Sequence, residues 1–426
     1  MSMADQDILG PVVRERLADI GRADLVVGIP SYQNAKTIAH VVRAAQLGLV
    51  KYFPNAHCVI LNSDGGSSDG TAEAVASAGG LEAEVVLVSN PVRPVSRFTV
   101  PYHGVPGKGS AFRTVFRAAE TLGAKACAVV DADLRSITPE WMHLLLAPIV
   151  EQRADFVAPY YHRHKFDGTI TNNVVYPLTR ALYGRRVRQP IGGEFGVSRP
   201  LFEHYLRQPV WETDVARFGI DIWMTTTAIC GGYRLCQAFL GAKLHDPKDP
   251  GADLAGMLVQ VLGTVFLLME THEEVWRRVQ GSEPVPVVGF QYDVGLDAVR
   301  VDTSRMLALF RHGVRDLWPI WSTVFDAAAM ARLRALAEGS DRNIAIDDQL
   351  WVSLIHDLAA ACHRRVSERA DLVRAALPLY MGRVATFVVE LAEADAPAVE
   401  ARIEELCVTF EEQKDRLRRA WAGEGA

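Results

Sequence analysis

Residues 128–134 read Ala-Val-Val-Asp-Ala-Asp-Leu, an apolar run that ends in two carboxylates one small residue apart. Ala124 to Val130 is short, nearly uncharged and β-branched at its end, which predicts a buried strand. Asp131 and Asp133 then fall where that strand leaves its sheet, the place where open α/β sheets hold ligands. Hard oxygen donors suit Mg2+ or Mn2+, ions that bridge to phosphates. One carboxylate would hold the metal while the other orders the loop or a sugar hydroxyl. Asp-x-Asp alone is equally a pair of solvated acids in a turn, so the expectation depends on its surroundings.

Those surroundings hold further groups with chemistry. Leu25 to Pro30 is a continuous apolar strand that ends in the turn Pro30-Ser31-Tyr32-Gln33-Asn34. A second strand, Cys58 to Leu61, runs into the glycine-rich turn at 64–70. Its bare backbone would approach a ligand, and Asp64 would accept from a base or ribose; the same string is also a good left-handed turn. It is neither a Gly-x-Gly-x-x-Gly fingerprint nor a phosphate loop. Gly107-Lys108-Gly109 opens a helix, where free amides, the helix dipole and an ammonium favour an anion. Residues 160–172 are rich in donors, among them Arg163, Thr169 and Thr171; they form a solvated loop or a carboxylate site. Gly192, Gly193 and Gly196 surround Glu194, which would accept from sugar or acceptor hydroxyls. The Glu194 segment is equally a tight glycine turn with a solvated acid. Asp221 sits in the first turn of a helix, where the alternative reading is dipole compensation. His245 follows a late strand, Leu235 to Leu240. It would complete a metal site with Asp133 if the two strand ends adjoin.

The elements that must position these groups follow a pattern. Strands at 25–30, 58–61 and 85–88 alternate with helices at 37–50 and from Thr71, as in a Rossmann-like half with a parallel sheet. A helix starts at Thr138-Pro139, with Thr138 as its cap, and Phe156 to Tyr161 is the next strand. Beyond Pro250 helical spacing takes over, from Leu254 to Met269 and through 301–422, with breaks at 281–286 and 339–343. The chain of 426 residues exceeds one ordinary core. The expected domains are 1–250 for nucleotide-sugar and acceptor binding and 251–426 as a helical domain with a dimer surface.

With 51 acidic and 45 basic residues the net charge is −6, which argues against a nucleic-acid partner. Asp5 and Asp7 stand where a signal peptide would carry positive charge. The run 254–269 is shorter than the roughly 20 residues of a membrane span. The six scattered cysteines form neither metal spacing nor a disulfide framework. A cytoplasmic protein with free thiols and no membrane span is expected.

In order, Pro30–Asn34, Asp64–Thr71, Gly107-Lys108-Gly109, Asp131-Ala132-Asp133, Gln189–Glu194, Phe218–Asp221 and His245 resemble the motifs of a GT-A-fold nucleotide-sugar glycosyltransferase. They are more narrowly similar to the retaining mannosylglycerate synthases and glucosyl-3-phosphoglycerate synthases, over residues 24–250. The resemblance implies an α/β fold: a Rossmann-like mixed, mainly parallel sheet flanked by helices, with a helical C-terminal domain. It implies that Pro30, Ser31, Tyr32, Asn34, Asp64, Gly107, Lys108, Asp131 and Ala132 bind a nucleoside-diphosphate sugar. Asp133 and His245 would ligate the divalent metal, Mg2+ or Mn2+. Glu194, Gly192 and Gly193 would hold the sugar, and Arg163, Thr169 and Thr171 a glycerate-like acceptor. The phosphoglycerate enzymes carry a longer glycine-rich insert near 160–172 that this chain lacks, which favours unphosphorylated glycerate.

The implied reaction moves glucose or mannose from the donor to a small hydroxy acid, with Lys108, Glu194 and Asp221 as catalytic residues and a homodimer as the assembly. Lys108 and the metal would stabilise the leaving phosphate, and Asp221 would orient the acceptor. An inverting transferase would need Asp214 or Asp221 as general base. The rivals are such an inverting enzyme acting on a polysaccharide or lipid, a sugar-phosphate nucleotidyltransferase, and a non-catalytic nucleotide-sugar-binding regulator.

Overall fold

Ten strands appear among the described residues: β1 (Leu25–Ser31), β2 (Cys58–Asp64), β3 (Ser96–Pro101), β4 (Ala126–Val129), β5 (Phe156–His162), β6 (Arg185–Arg186), β7 (Phe195–Ser198), β8 (Leu235–Ala242), β9 (Glu283–Pro284) and β10 (Val287–Val288). The structure is a computed structural model, and it describes all residues except 1–7, 79–95, 102–106, 245–253, 293–298, 300, 341–344 and 425–426. Two compact units divide the chain. One comprises Met1–His162, Arg188–Asp246 and Val285–Gly295, the other Arg163–Val187, Pro247–Pro284 and Leu296–Ala426.

The first unit is built on an eight-stranded sheet in the order β10-β8-β5-β7-β4-β1-β2-β3. Every neighbouring pair is parallel except those of β7, which runs antiparallel to both β4 and β5. This is the mixed, mainly parallel sheet flanked by helices that the resemblance implies. The central strands are apolar along their whole length because helices cover both faces. On one face Leu25, Val27 and Ile29 pack with Val41 and Val42 of the helix Ile38–Tyr52 and Leu145 of the helix Glu140–Val150. Each such side chain contributes about 1.5–3 kcal/mol on burial. Elsewhere in this unit Phe116 of the helix Lys108–Thr121 stacks on Phe202 of the helix Arg199–Leu206.

The strands expected at 25–30, 58–61, 124–130, 156–161 and 235–240 are present with shifted ends. The one expected at 85–88 lies outside the described residues. β3, β6, β7, β9 and β10 are not among the expected strands. The helix expected from Thr138 begins at Glu140, with Pro139 in the cap position and no side-chain cap bond.

The second unit is helical, with the two-stranded β6–β9 sheet at 185–186 and 283–284. Its longer helices include Leu254–Thr271, Thr303–Asp316, Asp348–His363, Leu377–Glu390 and Ala396–Glu412. Three of these, and the helix Ala327–Glu338, begin on the same device. Asp302, Asp326, Asp347 and Asp395 each accept from the backbone amide three residues on, which caps an otherwise open turn. Buried cations are paired: Arg180 meets Glu404 and Glu411, and Arg383 meets Asp348 at 2.7 Å. The stretch Arg369–Glu390 is long and apolar enough to cross a membrane, but 78% of that window is buried inside the protein. Residues 163–187 belong to this unit and 285–295 to the sheet unit, so the two units interleave along the chain rather than meeting once near residue 250.

Candidate active site

Chain direction decides what reaches the carboxyl edge of the sheet. β4 leads out to Asp131, and β8 leads out to Lys243. β7 is antiparallel and pairs Phe195 with Val129, so the residue that precedes it, Glu194, arrives at the same edge from outside. Two helix N-termini complete the set, Lys108 at the head of Lys108–Thr121 and Asp221 in the first turn of Ile220–Cys230.

These five side chains form a line in which carboxyl and ammonium groups alternate. The Glu194 Oε1 accepts from Lys243 Nζ at 2.6 Å, and Lys243 Nζ meets Asp131 Oδ2 at 2.9 Å. Asp131 Oδ1 accepts from Lys108 Nζ at 2.8 Å, and Lys108 reaches Asp221 Oδ2 at 3.1 Å. The two ends of the line are incomplete: Glu194 Oε2 and Asp221 Oδ1 are buried with no hydrogen-bond partner among the described residues. Buried acceptors are rarely left unmet. Both lie at the edge of the sheet where open α/β sheets hold ligands.

The line sets its own electrostatics. Burial raises Asp131, but Lys108 and Lys243 outweigh it and hold this carboxyl well below its ordinary range. Burial works against the charge of Lys108, and Asp131 and Asp221 more than restore it. Burial wins at the ends. It raises Glu194 to about 8 against the pull of Lys243, with Asp131 adding to the rise, and it raises Asp221 against Lys108.

Glycines let the parts close. Gly193 has φ +100°, and a Cβ there would lie 2.4 Å from Asp131 Oδ2. At Gly109 a Cβ would lie 2.1 Å from the carbonyl oxygen of Val215, so the loop before Asp221 packs directly on the helix that carries Lys108. Tyr161 donates to the Gly192 carbonyl at 2.7 Å and fixes the same turn.

The residues expected at the nucleotide also gather. Ser31 pairs with Asp64 across β1 and β2, and Ser31 Oγ donates to Asp64 Oδ1 at 2.8 Å. Asp64 takes three more bonds, from Ser67 Oγ and from the amides of Gly66 and Ser67. Burial would raise it, but these bonds prevail and lower it. Asn34 Oδ1 accepts from the Tyr32 amide, and Tyr32 is 63% exposed just past the end of β1. Ala132 is buried, and its carbonyl accepts from Thr37 at 2.8 Å. Gly107 directly precedes Lys108 at the helix start.

Of the two expected metal ligands, the structure describes Asp133 alone. Asp133 is half-buried in the turn after β4. The Arg135 amide donates to the Leu244 carbonyl at 2.9 Å and the Leu244 amide to Ser136 Oγ at 2.9 Å, so the segments that follow β4 and β8 adjoin. His245, the next residue, lies outside the described residues. Among the described residues no three His, Cys, Asp or Glu side chains are grouped to hold a metal ion. Asp131 pairs through Oδ1 with Lys108 and through Oδ2 with Lys243.

Arg163, Thr169 and Thr171 are not among the residues the sheet unit gathers. They belong to the helical unit, where Arg163 pairs with Asp167, Thr169 bonds the Tyr380 hydroxyl at 2.7 Å, and Thr171 is buried. Lys243 was missed in the sequence. Its signal was a single charge at the close of an apolar strand, two residues before the histidine that drew attention.

No protein-family model matches the chain, and no curated protein does. Among solved structures the chain is similar to glucosyl-3-phosphoglycerate synthase from Mycobacterium tuberculosis. In its complex with Mg2+ and uridine diphosphate the identity is 21%, with 59% of this chain and 83% of that one covered and a TM-score of 0.44. In a complex with Mn2+, UDP-glucose and phosphoglyceric acid the values are 21%, 60%, 83% and 0.43. A further mycobacterial protein of solved structure is similar at 20% identity, covering 61% of this chain and 78% of that one, with a TM-score of 0.41.

Proposed function

We propose that the chain is a metal-dependent glycosyltransferase that moves a hexose from a nucleoside-diphosphate sugar to glycerate, 3-phosphoglycerate or a similar small hydroxy acid. The observation that carries this reading is the line of alternating carboxyl and ammonium groups, with its two unmet carboxyl oxygens, beside an Asp-x-Asp turn. Glu194 Oε2 and Asp221 Oδ1 suit hydroxyl groups, and the helix start at Lys108 suits a diphosphate. Asp64 closes β2, and Asp131 follows β4, two strand spacings away, about 10 Å. That separation supports a nucleoside near Tyr32 and Ser31 and a sugar near Glu194.

A divalent ion on Asp133 and His245 would neutralise charge on the departing diphosphate. The protein's own groups do the rest. Asp131 holds Lys108 in place, so that its positive charge is already oriented when the leaving group becomes more negative. Glu194 holds the sugar through its hydroxyls. Asp221 sets a carboxylate oxygen beside the ring, where positive charge develops as the bond to the leaving oxygen breaks. The retaining outcome is part of the proposal and follows from the family resemblance.

The test incubates the protein with UDP-, GDP- and ADP-hexoses, Mg2+ or Mn2+, and D-glycerate or 3-phosphoglycerate. Mass spectrometry of the product and the anomeric proton signal read the result. Metal-dependent release of nucleoside diphosphate with an α-hexosylglycerate from an α-donor supports the reading. A β-linked product overturns retention. Pyrophosphate release identifies a nucleotidyltransferase, and binding without turnover identifies a regulator.

A further inference from the structure

Lys243 is 5% exposed and lies at the end of β8, with its Nζ 2.7 Å from the Gly192 carbonyl, 2.6 Å from Glu194 Oε1 and 2.9 Å from Asp131 Oδ2. An ammonium has three protons. Three acceptors from two other chain segments match them, so Lys243 is committed within the protein. The Tyr161 ring lies 5.5 Å from the same ammonium, and the Tyr161 hydroxyl bonds the same Gly192 carbonyl. The turn 192–194 is thus held from two directions. Gly193 keeps it against Asp131 at a distance no side chain permits.

We propose that Lys243 is the positioning residue of this site: it latches the Gly192–Glu194 turn to Asp131 and so aims the unmet oxygen of Glu194 at the donor's sugar. Lys243 itself touches no substrate. One end of Glu194 is tied, and that fixes where the other end points. The proposal rests on the transferase reading for the identity of the ligand, but the latch itself is a statement about the protein.

The test compares wild type, Lys243→Met and Lys243→Arg with the nucleotide sugar that the wild type turns over and with the nucleoside diphosphate it releases. Lys108 keeps its ion pairs with Asp131 Oδ1 and Asp221 when Lys243 is replaced, so the diphosphate end keeps its anchor while the sugar end loses its own. In Lys243→Met the KM for the nucleotide sugar is therefore expected to rise about tenfold or more, as losing charged hydrogen bonds implies, with nucleoside-diphosphate binding by calorimetry within about twofold. Lys243→Arg, which keeps the charge, is expected to recover most of the loss. An unchanged KM in Lys243→Met overturns the proposal, and so does parallel weakening of both ligands. Should the methionine variant not fold, Lys243→Gln, which keeps two donors, is read by the same measures.

Hydrogen exchange separates the two readings. If the wild type turns over no nucleotide sugar, the transferase reading falls by itself. Faster exchange in residues 189–198 of Lys243→Met, with β1 and β2 unchanged, then supports the latch, and unchanged exchange there overturns it.

Discussion

Glu194 is the residue whose environment makes the sharpest demand. Burial lifts its carboxyl from 4.5 to about 8, so the folded chain holds that proton more tightly than the unfolded one. Folding stability from this group is complete below the ordinary carboxyl range and is lost as pH rises from there to about 8. The expected loss is on the order of a few kcal/mol. Glu194→Gln carries no proton to lose, so its urea midpoints between pH 5 and 9 should lack the decline seen in wild type; parallel curves would contradict the assignment. Asp131 gives a second prediction. Asp131→Asn leaves Lys108 and Lys243 without their shared counter-ion, an expected cost of about 3–5 kcal/mol read by thermal melting. At this scale the acids were legible because carboxylates at strand ends and helix starts are conspicuous. The ammonium that joins them was not, since a lysine closing a strand looks like any surface charge. Only the return of two distant segments to the same edge reveals its partners.

At the scale of elements, the site depends on close approach of backbone to backbone. The Gly109 position meets the Val215 carbonyl at a distance that admits no Cβ. Gly109→Ala should therefore displace the loop that precedes Asp221 or the helix that carries Lys108. A cost of about 1–3 kcal/mol is expected from overpacking. Because Lys108 bridges Asp131 and Asp221, activity should fall more than stability does, which paired melting and turnover measurements would establish. Long parallel strands were readable in the sequence because burial on both faces leaves an unbroken apolar run, as in Leu25–Ile29. β7 was not. It has four residues, Phe195–Ser198, and its flanking glycines read as a turn. β3, Ser96–Pro101, carries Arg97 and Thr99 and lacks an apolar run, so its strand character comes from pairing with β2 rather than from composition. The four aspartate caps of the helical unit were available to sequence reasoning, since each stands three residues before the amide it accepts from, but the alanine- and leucine-rich texture masked them.

The whole molecule is two units threaded through one another along the chain, and that has a consequence for cutting it. Composition changes near residue 250, which is why a single boundary there reads naturally from the sequence. Contacts set the limits differently. Residues 163–187 are part of the helical unit, where Arg180, 1% exposed, pairs with Glu404 and Glu411, and Asn173 accepts from Arg383 and, through its backbone carbonyl, from Trp351. Residues 285–295 are part of the sheet unit, where β10 pairs with β8 and Gln237 bonds the Val285 and Pro286 carbonyls. A chain ending at residue 250 would keep Arg180 and discard both of its carboxylates. It would also strip β8 of its outer neighbour. Leaving a buried cation unpaired costs about 3–5 kcal/mol, a large part of the 5–15 kcal/mol that holds an ordinary domain. The fragment 1–250 is therefore expected to show no cooperative melt by circular dichroism, while the full chain does. Restoring 285–295 alone should not rescue it, because the Arg180 partners are still missing. A cooperative transition in the fragment, at the temperature of the full chain, would mean that the helical segment 163–187 contributes nothing to folding.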